Sequence, residues 1–172
     1  MTEKQEQIIE TALTLFAKQG FASTSTNKIA KAAGVSEGLI FRHFNNKEGL
    51  LSAILELGRD RASTIFNTIL AEQDPKKVIE NVLSIPFGIN EDQYYFWKLI
   101  YSVKWQSETY DDSLSAPLKE ALIIAFTKLG ASDPVSEAEI VLMHVDGIAT
   151  SILLRKPKNI ESIKSALLTK YI

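Results

Sequence analysis

The side chains best suited to contact a chain of phosphates and stacked bases are gathered in one stretch, Thr24 to Lys47, TSTNKIAKAAGVSEGLIFRHFNNK. Its second half carries Glu37, Leu39, Arg42 and His43 on one helical face and Ile40 and Phe44 on the other. Charged forks, imidazoles and carboxylates on an exposed helix can pair with base edges in a major groove and with backbone phosphates. The stretch holds four basic residues, Lys28, Lys31, Arg42 and Lys47, against the single acid Glu37. That is a local excess of +3 inside a chain whose formal net charge is −2. An acidic total does not oppose nucleic-acid contact, because only the charge near the phosphates counts.

Other chemistries find little support. The chain has no cysteine, which removes disulfides and thiolate metal sites and fits a reducing cytoplasm. Its two histidines, His43 and His144, are too few and too far apart to suggest a metal cluster. There is no Gly-x-Ser-x-Gly elbow, phosphate-binding glycine loop or His-Glu-x-x-His. The carboxylate pairs Glu91-Asp92 and Asp111-Asp112 fall where helices begin or end and read as caps or solvated loops. No catalytic residue, metal ligand or cofactor is expected, so the reading is of a protein that is not an enzyme.

The elements that must position Thr24–Lys47 are helices throughout. Across 172 residues no segment alternates at period two for more than a few positions. A first helix over 4–19 has Ile8, Ile9, Ala12, Leu13 and Phe16 on one stripe and ends at Gly20, with Phe21 placed to pack back on it. A second begins near Ser25 or Thr26, since Thr24 and Ser25 are both capable caps, and stops at Gly34. Ser36 caps the third, and Asn45-Asn46 end it and open a long fourth helix over 47–71. Helix, glycine turn, helix is the grammar of a helix-turn-helix.

Downstream, Pro75 opens a fifth helix that Pro86-Phe87-Gly88 breaks, and a sixth runs over 90–106. A seventh starts at Ser115 or Pro117 and ends at Gly130. The sixth is rich in aromatics: with Tyr110 beyond it, Tyr94, Phe96, Trp97, Tyr101 and Trp105 serve either as ordinary core or as the lining of a site for a flat or lipophilic molecule. Asp133-Pro134, with Ser136 and Glu139 as a capping box, precedes an eighth helix that is apolar nearly all round. Such a helix must be buried on more than one side, which in a chain this size suggests a second copy. Asn159 caps a ninth. Val141, Val145, Ile148 and Ile152 of the eighth helix and Ile163 and Leu167 of the ninth are the expected dimer interface, a four-helix seam. His144 and Asp146 in the eighth helix read as a satisfied polar pair at that seam or, alternatively, as ligand contacts.

The spaced residues Leu15, Phe16, Gly20 and Phe21, then Thr24-Ser25, Ile29-Ala30, Ala33 to Ser36, Gly38, His43-Phe44 and Asn46-Lys47 resemble the TetR family of bacterial repressors over about the first 50 residues. The resemblance implies an all-α fold of about nine helices. In it, a three-helix helix-turn-helix DNA-binding domain (1–46) precedes a helical ligand-sensing and dimerisation domain (47–172), the last two helices dimerising. It further implies that Thr24, Ser25 and Thr26 at the head of the second helix hold a phosphate. By the same resemblance Glu37, Gly38, Leu39 and Arg42 sit at the major groove, and His43 and Lys47 grip the DNA backbone. Phe41 stands where the family usually has tyrosine, so ring contact replaces a phosphate hydrogen bond. Glu37 could accept from a cytosine amino group.

The function expected is therefore a homodimeric repressor, released from a palindromic operator by a small, lipophilic or aromatic effector. The alternative is a ligand-independent or nucleoid-associated DNA-binding protein of the same fold. A cytoplasmic location is expected, with no membrane partner: no run of about 18 apolar residues occurs, and MTEKQEQIIE lacks the order of a secretory signal.

Overall fold

The structure is a computed structural model describing residues 1–106 and 115–172. Tyr110 and Asp111-Asp112 lie outside the described residues. Among those described the fold is all-α, with helices α1 (Glu3–Gln19), α2 (Thr26–Ala32), α3 (Glu37–Phe44), α4 (Lys47–Leu70), α5 (Pro75–Ser84), α6 (Tyr94–Gln106), α7 (Ala116–Lys128), α8 (Pro134–Arg155) and α9 (Ile160–Leu168). Two 3₁₀ turns, Ile85–Gly88 and Glu91–Gln93, join α5 to α6.

Local chemistry accounts for most boundaries. Thr2 caps α1 in a reciprocal capping box with Gln5, which starts the helix one residue before the expected position. Gly20 ends it at φ +85°, a conformation that L side chains resist, and its N–H donates to the Phe16 carbonyl at 2.9 Å. The Phe21 ring then folds back to 5.0 Å from the Phe16 ring, as expected. Asn46 Oδ1 accepts from the Gly49 N–H at 2.7 Å and so caps α4.

Three caps differ from expectation. Ser36 and Asn159 occupy cap positions but make no side-chain cap bond. The Ser136–Glu139 capping box is not formed. Asp133 caps α8 by accepting from the Ser136 N–H at 3.1 Å, which places Ser136 inside the first turn and leaves Glu139 to pair with Lys119. Helix α6 begins at Tyr94 rather than 90, because Glu91–Gln93 close a tighter turn first.

Packing divides the chain into two compact units, with the cut inside α4 after position 61. The first unit holds α1–α3, the start of α4, and α6, which packs on α1. Its core is Ile8, Ile9, Ala12, Phe16, Ile29, Ala30, Ala33, Ile40, Leu50, Ile54, Phe96 and Leu99. The second holds the rest of α4 and α5, α7, α8 and α9, with a core that includes Ile79, Val82, Leu83, Leu122 and Val141. This packing cut is distinct from the functional division expected at 46/47, since residues 47–61 and α6 share the first unit's core.

Candidate nucleic-acid interface

The inner faces of α2 and α3 are locked by apolar contact. Ile29, Ala30, Ala33 and Ile40 are buried, and Gly34 turns the chain between them at φ +64°. The Val35 N–H then donates back to the Ala30 carbonyl at 3.0 Å, closing the turn.

A polar clamp adds to this packing. The Thr26 hydroxyl donates to Glu37 Oε1 at 2.6 Å, and the Asn27 amide donates to Oε2 at 3.2 Å. Both carboxylate oxygens are thus engaged between the first turns of the two helices. The Thr26 bond first, then the Asn27 bond, hold the Glu37 carboxyl below the usual glutamate range, with Lys31 adding a smaller pull in the same direction.

The clamp changes the reading of the expected contact residues. Thr24 is fully buried and its hydroxyl donates to the Gly20 carbonyl at 2.9 Å, so it cannot hold a phosphate; it tethers the α1–α2 loop instead. Thr26 and Glu37 are turned to each other. Leu39 is half-buried, packed on the first unit's core rather than standing clear on the outer face. Lys47 donates to the Phe21 carbonyl at 3.0 Å and lies 4.3 Å over the Phe21 ring, which uses one of its three N–H groups on the protein itself.

Ser25 caps α2 by accepting from the Lys28 N–H at 3.2 Å, and its own hydroxyl proton remains to donate outward. Gly38 and Arg42 are exposed, and Phe41 is 48% exposed, unusually open for a phenylalanine. His43 is half-buried, with Nδ1 3.3 Å from the Gln5 amide nitrogen. Of the expected contact residues, Ser25, Gly38, Phe41 and Arg42 are therefore exposed and His43 and Lys47 partly so.

Sequence reasoning missed Gln5 and Asn27, both ordinary polar residues without a motif. It also missed Gly49, where a Cβ would stand 2.0 Å from the Phe44 carbonyl oxygen. A glycine in the first turn of a long helix was the available signal, since it weakens a helix unless close approach requires it.

The aromatic residues of α6 differ in their burial. Phe96 is buried and meets Gly58 so closely that a Cβ there would stand 1.9 Å from its ring, making it a core plug of the first unit. Trp105 is 79% exposed and Tyr95 also faces outward, 4.9 Å under the Lys18 ammonium. Tyr94, Trp97 and Tyr101 are half-buried.

In the second unit, Val141, Ile152 and Leu167 are buried in the chain's own core, so of the expected interface residues these three have no surface to give a partner. Val145 and Ile148 are half-buried and Ile163 is 36% exposed. The outer face of α8 instead bears Ile140, Met143 and Leu154, the last two 69% and 75% exposed. A groove of about 600 Å³ runs along this face, with Phe87, Gly147 and Ile163 among its walls. His144 donates from Nδ1 to the Ile140 carbonyl at 2.8 Å and lies 3.3 Å from the Tyr171 hydroxyl. Asp146 is exposed in the single chain.

Residues 8–54 match the model of bacterial regulatory proteins of the tetR family. The chain is 38% identical over 103 residues to an uncharacterised HTH-type transcriptional regulator, YerO, of Bacillus subtilis, covering 58% of this chain and 36% of that one. It is 40% identical over 83 residues to the HTH-type transcriptional regulator AcrR of Shigella flexneri, covering 47% and 39%. The chain thus spans well under half the length of these curated relatives in alignment. Among solved structures, the TetR family transcriptional regulator PfmR of Thermus thermophilus superposes with a TM-score of 0.72 at 18% identity, covering 98% of this chain and 95% of that one. A transcriptional regulator of Saccharomonospora viridis in complex with choline superposes with a TM-score of 0.72 at 18% identity, covering 100% and 96%. At such identity the structural likeness establishes the fold.

Proposed function

The chain belongs to the TetR family of bacterial regulatory proteins, and from that premise we propose that it binds operator DNA as a homodimer and represses transcription until a small molecule releases it. The observation that carries the DNA contact is the outer face of α3. Gly38, Phe41 and Arg42 are exposed there on a helix whose inner face is buried and whose first turn is clamped to α2. Arg42 offers a bidentate fork to guanine, Phe41 an apolar face to a thymine methyl, and Gly38 lets the backbone approach the bases. In this reading Ser25, His43 and the two remaining N–H groups of Lys47 take the phosphates.

A single head makes few contacts, so specificity calls for two. The exposed Ile140, Met143 and Leu154 supply an apolar face for the second copy. The effector reading rests on the half-buried Tyr94, Trp97 and Tyr101 of α6, amphipathic rings able to orient a lipophilic or aromatic ligand. Such a ligand lowers operator affinity by as much as it prefers the conformation that DNA does not select.

Selection of bound duplexes from a random pool tests the reading. A dyad-symmetric site is expected, with Arg42→Ala weakening its gel shift while the dimer stays intact. Enrichment of no symmetric site, or unchanged affinity in both Arg42→Ala and Lys47→Ala, refutes the docking. Ligands that raise thermal stability yet leave the DNA complex intact would favour the ligand-independent reading.

A further inference from the structure

The first turn of α1 lies outside the helix-turn-helix, yet it reaches His43. Gln5 is half-buried while its neighbours Thr2, Glu3, Lys4, Glu6 and Gln7 are exposed. Its side chain is held at both ends: Oε1 accepts from the Thr2 N–H at 2.8 Å, and Nε2 lies 3.3 Å from His43 Nδ1. A backbone N–H can only donate, so the Thr2 bond fixes which end of the amide is oxygen. The nitrogen must then face the imidazole, and an amide N–H can only donate. His43 Nδ1 is therefore the acceptor, and the ring proton sits on Nε2. The adjacent Phe44 ring, edge-on at 6.1 Å, bounds the imidazole on another side.

We propose that Gln5 is a positioning residue for DNA binding, which fixes His43 as the Nε2–H tautomer so that the imidazole presents a donor to a backbone phosphate. The inference rests on the DNA-binding reading for its purpose but not for its ring chemistry. Phosphate oxygens only accept, so the opposite tautomer would face DNA with a bare lone pair. The contact spans 38 residues of sequence, from the capping box of one helix to the end of another.

Gln5→Glu provides a selective test. Its carboxylate still caps α1 by accepting from Thr2 N–H, so the helix start is retained. Toward His43, however, it can only accept, which draws a proton to Nδ1. Long-range proton–nitrogen NMR of the full chain, at a pH where imidazole is neutral, should show the Nε2–H pattern for His43 in the wild type and its loss in Gln5→Glu; His43→Gln assigns the signal. An unchanged ring pattern overturns the proposal. Binding to a generic duplex at low salt reads the consequence, since phosphate contacts are sequence-independent. Gln5→Leu should weaken it about three- to tenfold, the weight of one hydrogen bond. The same change in a His43→Ala background should do nothing further. Equal losses in both backgrounds would show that Gln5 acts only on α1 and overturn the positioning role. Wild-type indifference to duplex DNA would refute the DNA-binding reading itself, whatever the ring spectrum shows.

Discussion

The outer faces of α3 and α8 are both left open by the packing of their own units, and they are open in opposite ways. Around α3 the polar groups are largely committed to one another: Thr26 and Asn27 to Glu37, Thr24 to Gly20, Lys47 to Phe21 and Gln5 to His43. What remains is a small patch held stiffly. On α8 the outward residues Ile140, Met143 and Leu154 are apolar and exposed, and the hydrogen bonds nearby, such as His144 to the Ile140 carbonyl, run within the helix or to Tyr171 rather than fixing these side chains. Hydrogen bonds are directional and set angles, whereas apolar area is non-directional and rewards any close cover. A surface that must match base edges needs the first, and a surface that joins like to like can rely on the second.

The comparison breaks most visibly if the first unit's stiffness does not come from its core. Phe96→Ala should lower unfolding stability by about 3–5 kcal/mol, as loss of a buried aromatic usually does. Gly58→Ala should cost about 1–3 kcal/mol by overpacking the same ring. Denaturant melts of both single variants and the double check this: the double should fall well short of the sum, because once the ring is gone the added methyl no longer collides with it. Additive losses would mean that Gly58 and Phe96 do not share one contact.

On the α8 side, Met143→Glu with Leu154→Glu should shift the protein to monomers, weakening self-association by about a hundredfold or more, as charges at the centre of an apolar interface do. Light scattering across a dilution series reads it. Val141→Ala should instead lower monomer stability, since Val141 is buried within its own chain. If the Val141 variant dissociates the dimer and the glutamates do not, the face has been assigned to the wrong side of the helix.

Smaller effects sharpen the α3 side. Arg42→Ala should reduce DNA affinity by about 1–3 kcal/mol without altering the melt, and should relax base preference at one position per half-site. Glu37→Gln should leave base preference unchanged while loosening the α2–α3 clamp. A changed preferred base would restore Glu37 as a reader. The clamp also carries a pH signature. The Glu37 carboxyl lies below its usual value of 4.5 in the folded chain, chiefly through the Thr26 bond, so the unfolded chain takes up the proton first. Its contribution is complete above that value and fades as the pH falls through the lower folded one. Acid melts of wild type and Glu37→Gln should therefore differ by a constant amount above pH 4.5 and draw together as the pH falls below it toward the lower folded value.

Much of this molecule is local and was legible residue by residue. The stripe of Ile8, Ala12 and Phe16, the stops at Gly20 and Gly34, the Asn46 cap and the proline starts at Pro75 and Pro134 depend on neighbours within a turn or two. The order of nine helices among the described residues, and the helix-turn-helix within it, follow from periodicity and punctuation alone. The all-round apolar character of α8 raises the expectation of a second copy; in the chain itself one face is buried in its own core, with Val141 and Ile152 on it, and the other carries the exposed Ile140, Met143 and Leu154.

Tertiary structure decided which polar side chain spends itself on the protein and which remains for a partner. Thr24 and Glu37 have the chemistry of DNA contacts, but their bonds run to Gly20 and Thr26, while Lys47 commits one of its three N–H groups to Phe21; sequence type cannot show whether a polar group is already engaged. It likewise decided that Phe96 enters the notch at Gly58 while Trp105, further along the same helix, faces outward. The physical reason is common to both. Helix formation is set by bonds along the chain, whereas the partner of a side chain is set by which surfaces meet once the helices pack, and that meeting brings together residues as distant as Gln5 and His43.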